Sequence, residues 1–118
     1  MAGPRVLVTG ASKGIGRAIA SALAVKGYEV LGTARRPSGC RGLPDGVRFI
    51  PLDLLDESSI DACLEAAGPV DVLVNNAGGS SVWAAAEAPP EKLREVFQLD
   101  FFGTVRLIQG VLPGMIAR

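Results

Sequence analysis

The segment Thr9-Gly10-Ala11-Ser12-Lys13-Gly14-Ile15-Gly16 restricts the fold of this chain more than any other. It follows an apolar run, Val6-Leu7-Val8, and leads into a helical pattern that puts Ile15, Ala18, Ile19, Ala22 and Leu23 on one face. A strand, a glycine-rich turn and a helix N-terminus together make an anion site. The turn lets backbone N–H groups approach a pyrophosphate, and the unpaired first-turn amides and helix dipole stabilise its charge. The glycines are spaced G-x-x-x-G-x-G, not the G-x-G-x-x-G of the commonest dinucleotide fingerprint. A nucleotide-hydrolysing phosphate loop needs Gly-Lys-Ser/Thr, whereas Lys13 here precedes Gly14. A plain tight turn between strand and helix is the competing reading of the same residues.

The remaining pattern alternates strand and helix. Strands are predicted at Arg5 to Thr9, Glu29 to Ala34, Val47 to Leu52 and Val70 to Val74, the last as a buried strand. The first helix runs from about Gly14 to Lys26 and stops at Gly27. Arg35 to Gly46 is polar and rich in Pro and Gly, hence a loop. Asp56 is placed to cap a helix that turns Ile60, Cys63, Leu64 and Ala67 inward. After a loop from Gly79 to Pro90, with a small apolar insert at Val82 to Ala86, Pro90 suits a helix first turn. Apolar residues then recur at Leu93, Val96 and Phe97 and continue through Phe101, Leu107, Ile108, Val111 and Leu112. The predicted architecture is α/β: a doubly wound parallel sheet of four strands in the order 3-2-1-4. That order brings the glycine turn and the segment after the fourth strand to one crevice at the carboxyl ends of the strands.

Length and composition exclude several classes of function. The 118 residues suffice for one domain, with 48% apolar and 20% charged residues. The formal charge is zero and the basic residues are dispersed, so neither nucleic acid nor an anionic membrane is an expected partner. No apolar run approaches the roughly 18 residues of a membrane span, and Met1 to Arg5 leads straight into the first strand without a signal peptide. His is absent, and Cys40 and Cys63 lack metal-ligand spacing. Two unpaired thiols suit a reducing compartment, so a cytoplasmic location is expected.

The fourth strand runs into Asn75-Asn76-Ala77-Gly78. Together with Thr9-Gly10-x-x-x-Gly14-x-Gly16, and with Asp53-Leu54 between, this segment resembles the short-chain dehydrogenase/reductase family. The resemblance covers essentially the whole chain, up to Leu112-Pro113-Gly114-Met115, and fits the shorter, reductase-like branch. It implies a Rossmann-like fold and an oxidoreductase that moves hydride between a nicotinamide cofactor and a carbonyl or alcohol. It assigns Gly10, Ser12, Lys13, Gly14, Ile15 and Gly16 to cofactor binding. It further assigns Asp53 to the adenine amino group, Leu54 to the adenine ring, and Asn76, Ala77 and Gly78 to the central sheet and cofactor ribose. Asp53 read on its own chemistry is equally a turn or capping residue.

NAD-selective sites carry a carboxylate about 20 residues past the glycines, to accept the adenosine ribose hydroxyls. Here that region is Thr33-Ala34-Arg35-Arg36, without an acid. A 2′-phosphate instead suits guanidinium, whose planar donors match phosphate oxygens in pairs. Lys13 adds positive charge within the turn, so NADP(H) is expected in preference to NAD(H). Solvated loop charge is the alternative for both arginines.

The family's proton donor is a Tyr-x-x-x-Lys pair with a Ser upstream. Tyr28 is the only tyrosine of the sequence, Gly32 stands four residues on, and no lysine lies at helical spacing from it. Tyr28 is therefore read as a packing residue. Asp100 occupies the position where relatives carry Asn, and the preferred reading is a cap on a helix restarting at Phe101, with Gly103 easing a kink. The chain thus resembles the cofactor-binding half of a reductase. Three origins are open: a C-terminally truncated enzyme, a stand-alone dinucleotide-binding module, or a half-enzyme completed by a second chain. Relatives pair through the helix that here spans Phe101 to Ile116, so a homo-oligomer through this helix is a further expectation. The last expectation is that the fourth strand and this helix leave apolar surface unpartnered.

Overall fold

The computed structural model describes residues 3–79 and 83–118. Val82, the first residue of the predicted apolar insert, lies outside the described residues. Four parallel strands form one sheet: β1 (Arg5–Val8), β2 (Glu29–Ala34), β3 (Val47–Pro51) and β4 (Val72–Val74), in the order β3-β2-β1-β4. Val6, Leu7 and Val8 of β1 stand opposite Val30, Leu31 and Gly32 on one side and Val72, Leu73 and Val74 on the other. This is the doubly wound, Rossmann-like arrangement expected from the alternating pattern.

Period-two alternation sends successive side chains to opposite faces of the sheet. Val6, Val8 and Val30 meet helix α1 (Gly14–Val25), joined by Ala11, Ala20 and the half-buried Tyr28. Leu7, Leu31 and Ile50 meet α2 (Glu57–Ala67) and α4 (Gly103–Ala117), through Ile60, Cys63, Leu107 and Val111. Tyr28 is therefore a packing residue, as its sequence context implied. Burial alone pushes the Cys63 thiol from its usual 9.0 up to about 11, so it is protonated and inert at neutral pH.

Asp56 caps α2 as expected, accepting from the Ser58 N–H at 2.9 Å and from the Ser58 hydroxyl at 2.7 Å. The hydroxyl bond, with the backbone bond second, holds its carboxyl below the usual range. At the opposite end of the sheet, the Arg5 guanidinium donates to the Ala67 carbonyl and to Glu29, each at 2.9 Å.

Three expectations are corrected. The inner face of α1 is Gly16, Ile19, Ala20 and Leu23, whereas Ile15, Ala18 and Ala22 are exposed. Gly16 sets this rotation, because only a residue without a side chain fits where the helix starts against the Gly10 carbonyl. Next, β4 is shorter than the predicted Val70 to Val74 and is not a buried strand, although its place at the sheet edge is the one that the order 3-2-1-4 implied. Val70 before it is buried, but Val72 is 42% exposed and Leu73 and Val74 are half-buried. Finally, Leu93 and Phe97 of α3 (Pro90–Phe97) are exposed, and none of its residues is buried. Among the described residues no helix is long and apolar enough to cross a membrane.

Candidate functional site

A crevice of about 1270 Å³ lies along the carboxyl ends of the strands. Open α/β sheets bind ligands at this place, where the chain connections diverge to the two faces. The crevice is lined by Gly10, Ser12, Lys13 and Gly14 after β1, by Arg35 and Arg36 after β2, by Asp53 and Leu54 after β3, and by Asn76, Ala77 and Gly78 after β4. Eleven of the residues singled out from the sequence thus share one cavity. Ile15 and Gly16 do not line it. Ile15 is 74% exposed and its side chain faces away from the core. Gly16 is buried beneath the turn.

The glycines differ in their work. Gly10 and Gly14 have φ near +64° and +61°, a region that side-chain-bearing residues rarely adopt. A Cβ on Gly10 would stand 3.0 Å from Ala77 Cα, so this glycine also lets the two strand ends meet. A Cβ on Gly14 would meet nothing within 4 Å, which leaves the space over the turn open to a ligand. No side chain caps the N-terminus of α1. Its first-turn amides therefore have no intrahelical or side-chain partner, the condition for anion binding.

Two threonines missed as site residues hold this floor together. Thr9 and Thr33 are each 1% exposed. The Thr9 hydroxyl accepts from the Asn76 N–H at 3.0 Å and the Ala77 N–H at 2.9 Å, and donates to the Val74 carbonyl at 3.4 Å. The Thr33 hydroxyl accepts from the Gly10 N–H at 3.1 Å. Asn76 completes the frame, its side-chain amide donating to the Thr9 and Gly10 carbonyls at 3.2 and 3.1 Å. A hydroxyl closing an otherwise apolar strand, as at Thr9 and Thr33, was the available signal.

The β2 end of the crevice is basic. Arg35, Arg36 and Lys13 are exposed, and among the described residues none of the three pairs with a carboxylate. Asp53 faces the same crevice while its Oδ1 accepts from the Leu55 N–H at 3.0 Å. The turn role read from its chemistry is therefore present, alongside its place on the cavity wall.

Asp100 is the clearest correction. It caps no new helix: α3 passes through a π-helical turn, Gln98–Phe102, directly into α4. Its Oδ1 accepts from the Gly79 N–H at 2.8 Å. A π turn absorbs an extra residue without ending the helix, so the carboxylate finds its donor across the crevice mouth. Trp83 is half-exposed and is not part of the crevice wall. Among the described residues no cluster of His, Cys, Asp or Glu suits a metal.

A family model described as short chain dehydrogenase matches residues 4–118. L-xylulose reductase of Mesocricetus auratus is 36% identical over 121 residues, covering 100% of this chain and 50% of its own. The crystal structure of a short-chain dehydrogenase from Streptomyces avermitilis superposes with a TM-score of 0.89 at 43% identity, over 98% of this chain and 45% of that one. L-sorbose reductase from Gluconobacter frateurii, solved with NADPH and L-sorbose, gives a TM-score of 0.86 at 36% identity, over 99% and 49% of the two chains. The chain spans about half the length of the curated relatives it matches.

Proposed function

We propose that this chain, which belongs to the short-chain dehydrogenase/reductase family, supplies the NADP(H)-binding portion of an enzyme that moves hydride between the cofactor and a carbonyl or alcohol. The observation that carries the reading is convergence on one crevice. An uncapped helix N-terminus behind a glycine turn, an Asn-Ala-Gly segment and three cations without a carboxylate partner among the described residues all border it. The residues present fit the group: first-turn amides for the pyrophosphate, Arg35, Arg36 and Lys13 for a 2′-phosphate, and Asp53 and Leu54 for adenine. When bound, the nicotinamide would supply the hydride. A neighbour solved with NADPH and another with NADP support the phosphorylated cofactor.

The chain's own contribution is to bind and orient. Reduction also needs a proton donor, and with one tyrosine, Tyr28, packed in the cluster between α1 and the sheet, these 118 residues offer no phenol–lysine pair. The donor and most of the substrate pocket therefore belong to sequence beyond these residues or to a second chain. Two free thiols, Cys40 and Cys63, fit a cytoplasmic protein, and exposed Ile108, Leu112 and Ile116 of α4 offer a contact between copies.

Calorimetric titration of the purified chain with NADPH and NADH tests the reading. NADPH is expected to bind more tightly, and the 118 residues alone are expected to reduce no carbonyl at an ordinary rate of roughly 1 s⁻¹ or more. A chain that binds neither nucleotide overturns the proposal.

Gly14→Ala probes the turn itself. The left-handed backbone costs a side chain about 1–2 kcal/mol, and no protein atom lies close enough to clash. The variant should remain folded by circular dichroism while its NADPH affinity falls well beyond that figure. Retained affinity in the folded variant would show that the turn is only structural.

A further inference from the structure

The continuous helix from α3 to α4 meets the crevice with Leu99, and the residues on either side of it bond to two other residues of the crevice wall. Gln98 donates from Nε2 to the Leu54 carbonyl at 2.9 Å. Leu99 lines the crevice, and Asp100 accepts from Gly79 on the opposite lip. Successive helical side chains point in different directions, so Leu99 looks into the cavity while its neighbours hold Leu54 and Gly79.

Leu54 is the wall on the Gln98 side. It is 4% exposed, belongs to the core and still borders the crevice. The local turn made by Asp53 fixes it along the chain, and the bond from Gln98, 44 residues distant in sequence, fixes it against the helix. Gly103 makes that approach possible, since a Cβ there would lie 3.0 Å from the Leu54 carbonyl oxygen and 3.1 Å from Leu54 Cβ. A long neutral amide aimed at one backbone carbonyl is a directional device, and its loss leaves that carbonyl short of a donor.

We propose that Gln98 is a positioning residue for the adenine side of the crevice: it touches no ligand and acts by holding Leu54 where the adenine ring packs. This rests on the dinucleotide reading above. Gln98→Met keeps the length and volume of the side chain and removes the donor. Calorimetry with NADPH and with 2′,5′-ADP, which carries the adenosine phosphates but no nicotinamide, should show both affinities reduced by a common factor, roughly two- to tenfold. The stoichiometry should stay that of wild type. A merely structural defect would instead lower the number of competent molecules and leave the affinity of the rest unchanged.

Should Gln98→Met fail to fold, Gln98→Glu keeps the shape of the side chain, also removes the donor to the Leu54 carbonyl, and should again weaken both ligands together. Unchanged 2′,5′-ADP affinity in the folded variant would overturn the proposal, as would a loss confined to NADPH. Wild type that binds both ligands beside an unaltered Gln98→Met defeats this inference alone. Wild type that binds neither defeats the dinucleotide reading, and this inference falls with it.

Discussion

Arg35→Asp is expected to reverse the cofactor preference, so that NADH binds more tightly than NADPH. Arg35 follows the last residue of β2, Ala34, and borders the crevice without a carboxylate partner among the described residues. Its guanidinium is thus available to a 2′-phosphate, and charge-assisted hydrogen bonds of this kind contribute roughly 1.5–3 kcal/mol, about ten- to a hundredfold in affinity. The substitution removes those bonds and sets a carboxylate against the phosphate. It also creates an acceptor for the ribose hydroxyls of NADH, at the place where NAD-selective sites carry one. Calorimetric titration of wild type and variant with both nucleotides reads the reversal. Because Arg35 is exposed, the wild-type preference should also shrink as salt is raised. Arg36→Asp should act in the same direction more weakly if Arg35 makes the paired contact. Equal affinities of wild type for the two nucleotides would remove the assignment.

Local chemistry carried much of the fold. Glu29 to Ala34 was legible to the residue because a helix-stopping Gly27 precedes it and the polar run Arg35-Arg36-Pro37 follows it. Asp56 announced its helix because a short carboxylate before a helical run has few better uses than an N-cap. What was misread depends on neighbours distant in sequence. Val70 to Val74 is apolar enough for a buried strand, and its edge position followed from the expected order, yet periodicity says nothing about which helices cover it, and Val72 is 42% exposed. Helix α1 shows the same limit: two apolar faces compete in the sequence, and the contact of Gly16 with Gly10 and Asn76 decides between them.

The site divides likewise. Glycines, arginines and the Asn-Ala-Gly segment were visible because their chemistry is unusual at those positions, and the crevice gathers them. Thr9 and Thr33 passed as strand residues, since threonine is ordinary in strands. Asp100 was misassigned for a different reason. Its residue type favours a cap, and a π turn leaves no trace in residue pattern, so its acceptor role toward Gly79 needed coordinates.

Thr9→Val should cost about 2–6 kcal/mol of stability, and Thr9→Ser about 1 kcal/mol. Valine reproduces the shape of threonine but not its oxygen, so the Asn76 and Ala77 N–H groups lose their acceptor together. Each unsatisfied buried donor costs about 1–3 kcal/mol, and Thr9 at 1% exposure admits little water in compensation. The location magnifies the effect. Strand β4 is held to the sheet by three residue pairs with β1 and by nothing beyond it among the described strands. The Thr9 hydroxyl is therefore a main tie between the two strand ends that floor the crevice. Serine keeps the hydroxyl and loses one methyl, a change of about 1 kcal/mol. Urea denaturation of the three proteins would separate these figures. Thr9→Val should also weaken NADPH in its remaining folded population, since Asn76 and Ala77 lose the anchor that sets their place on the crevice wall. Should Thr9→Val match Thr9→Ser in stability, the hydroxyl contributes nothing beyond packing, and the β1–β4 junction is held by its ladder alone.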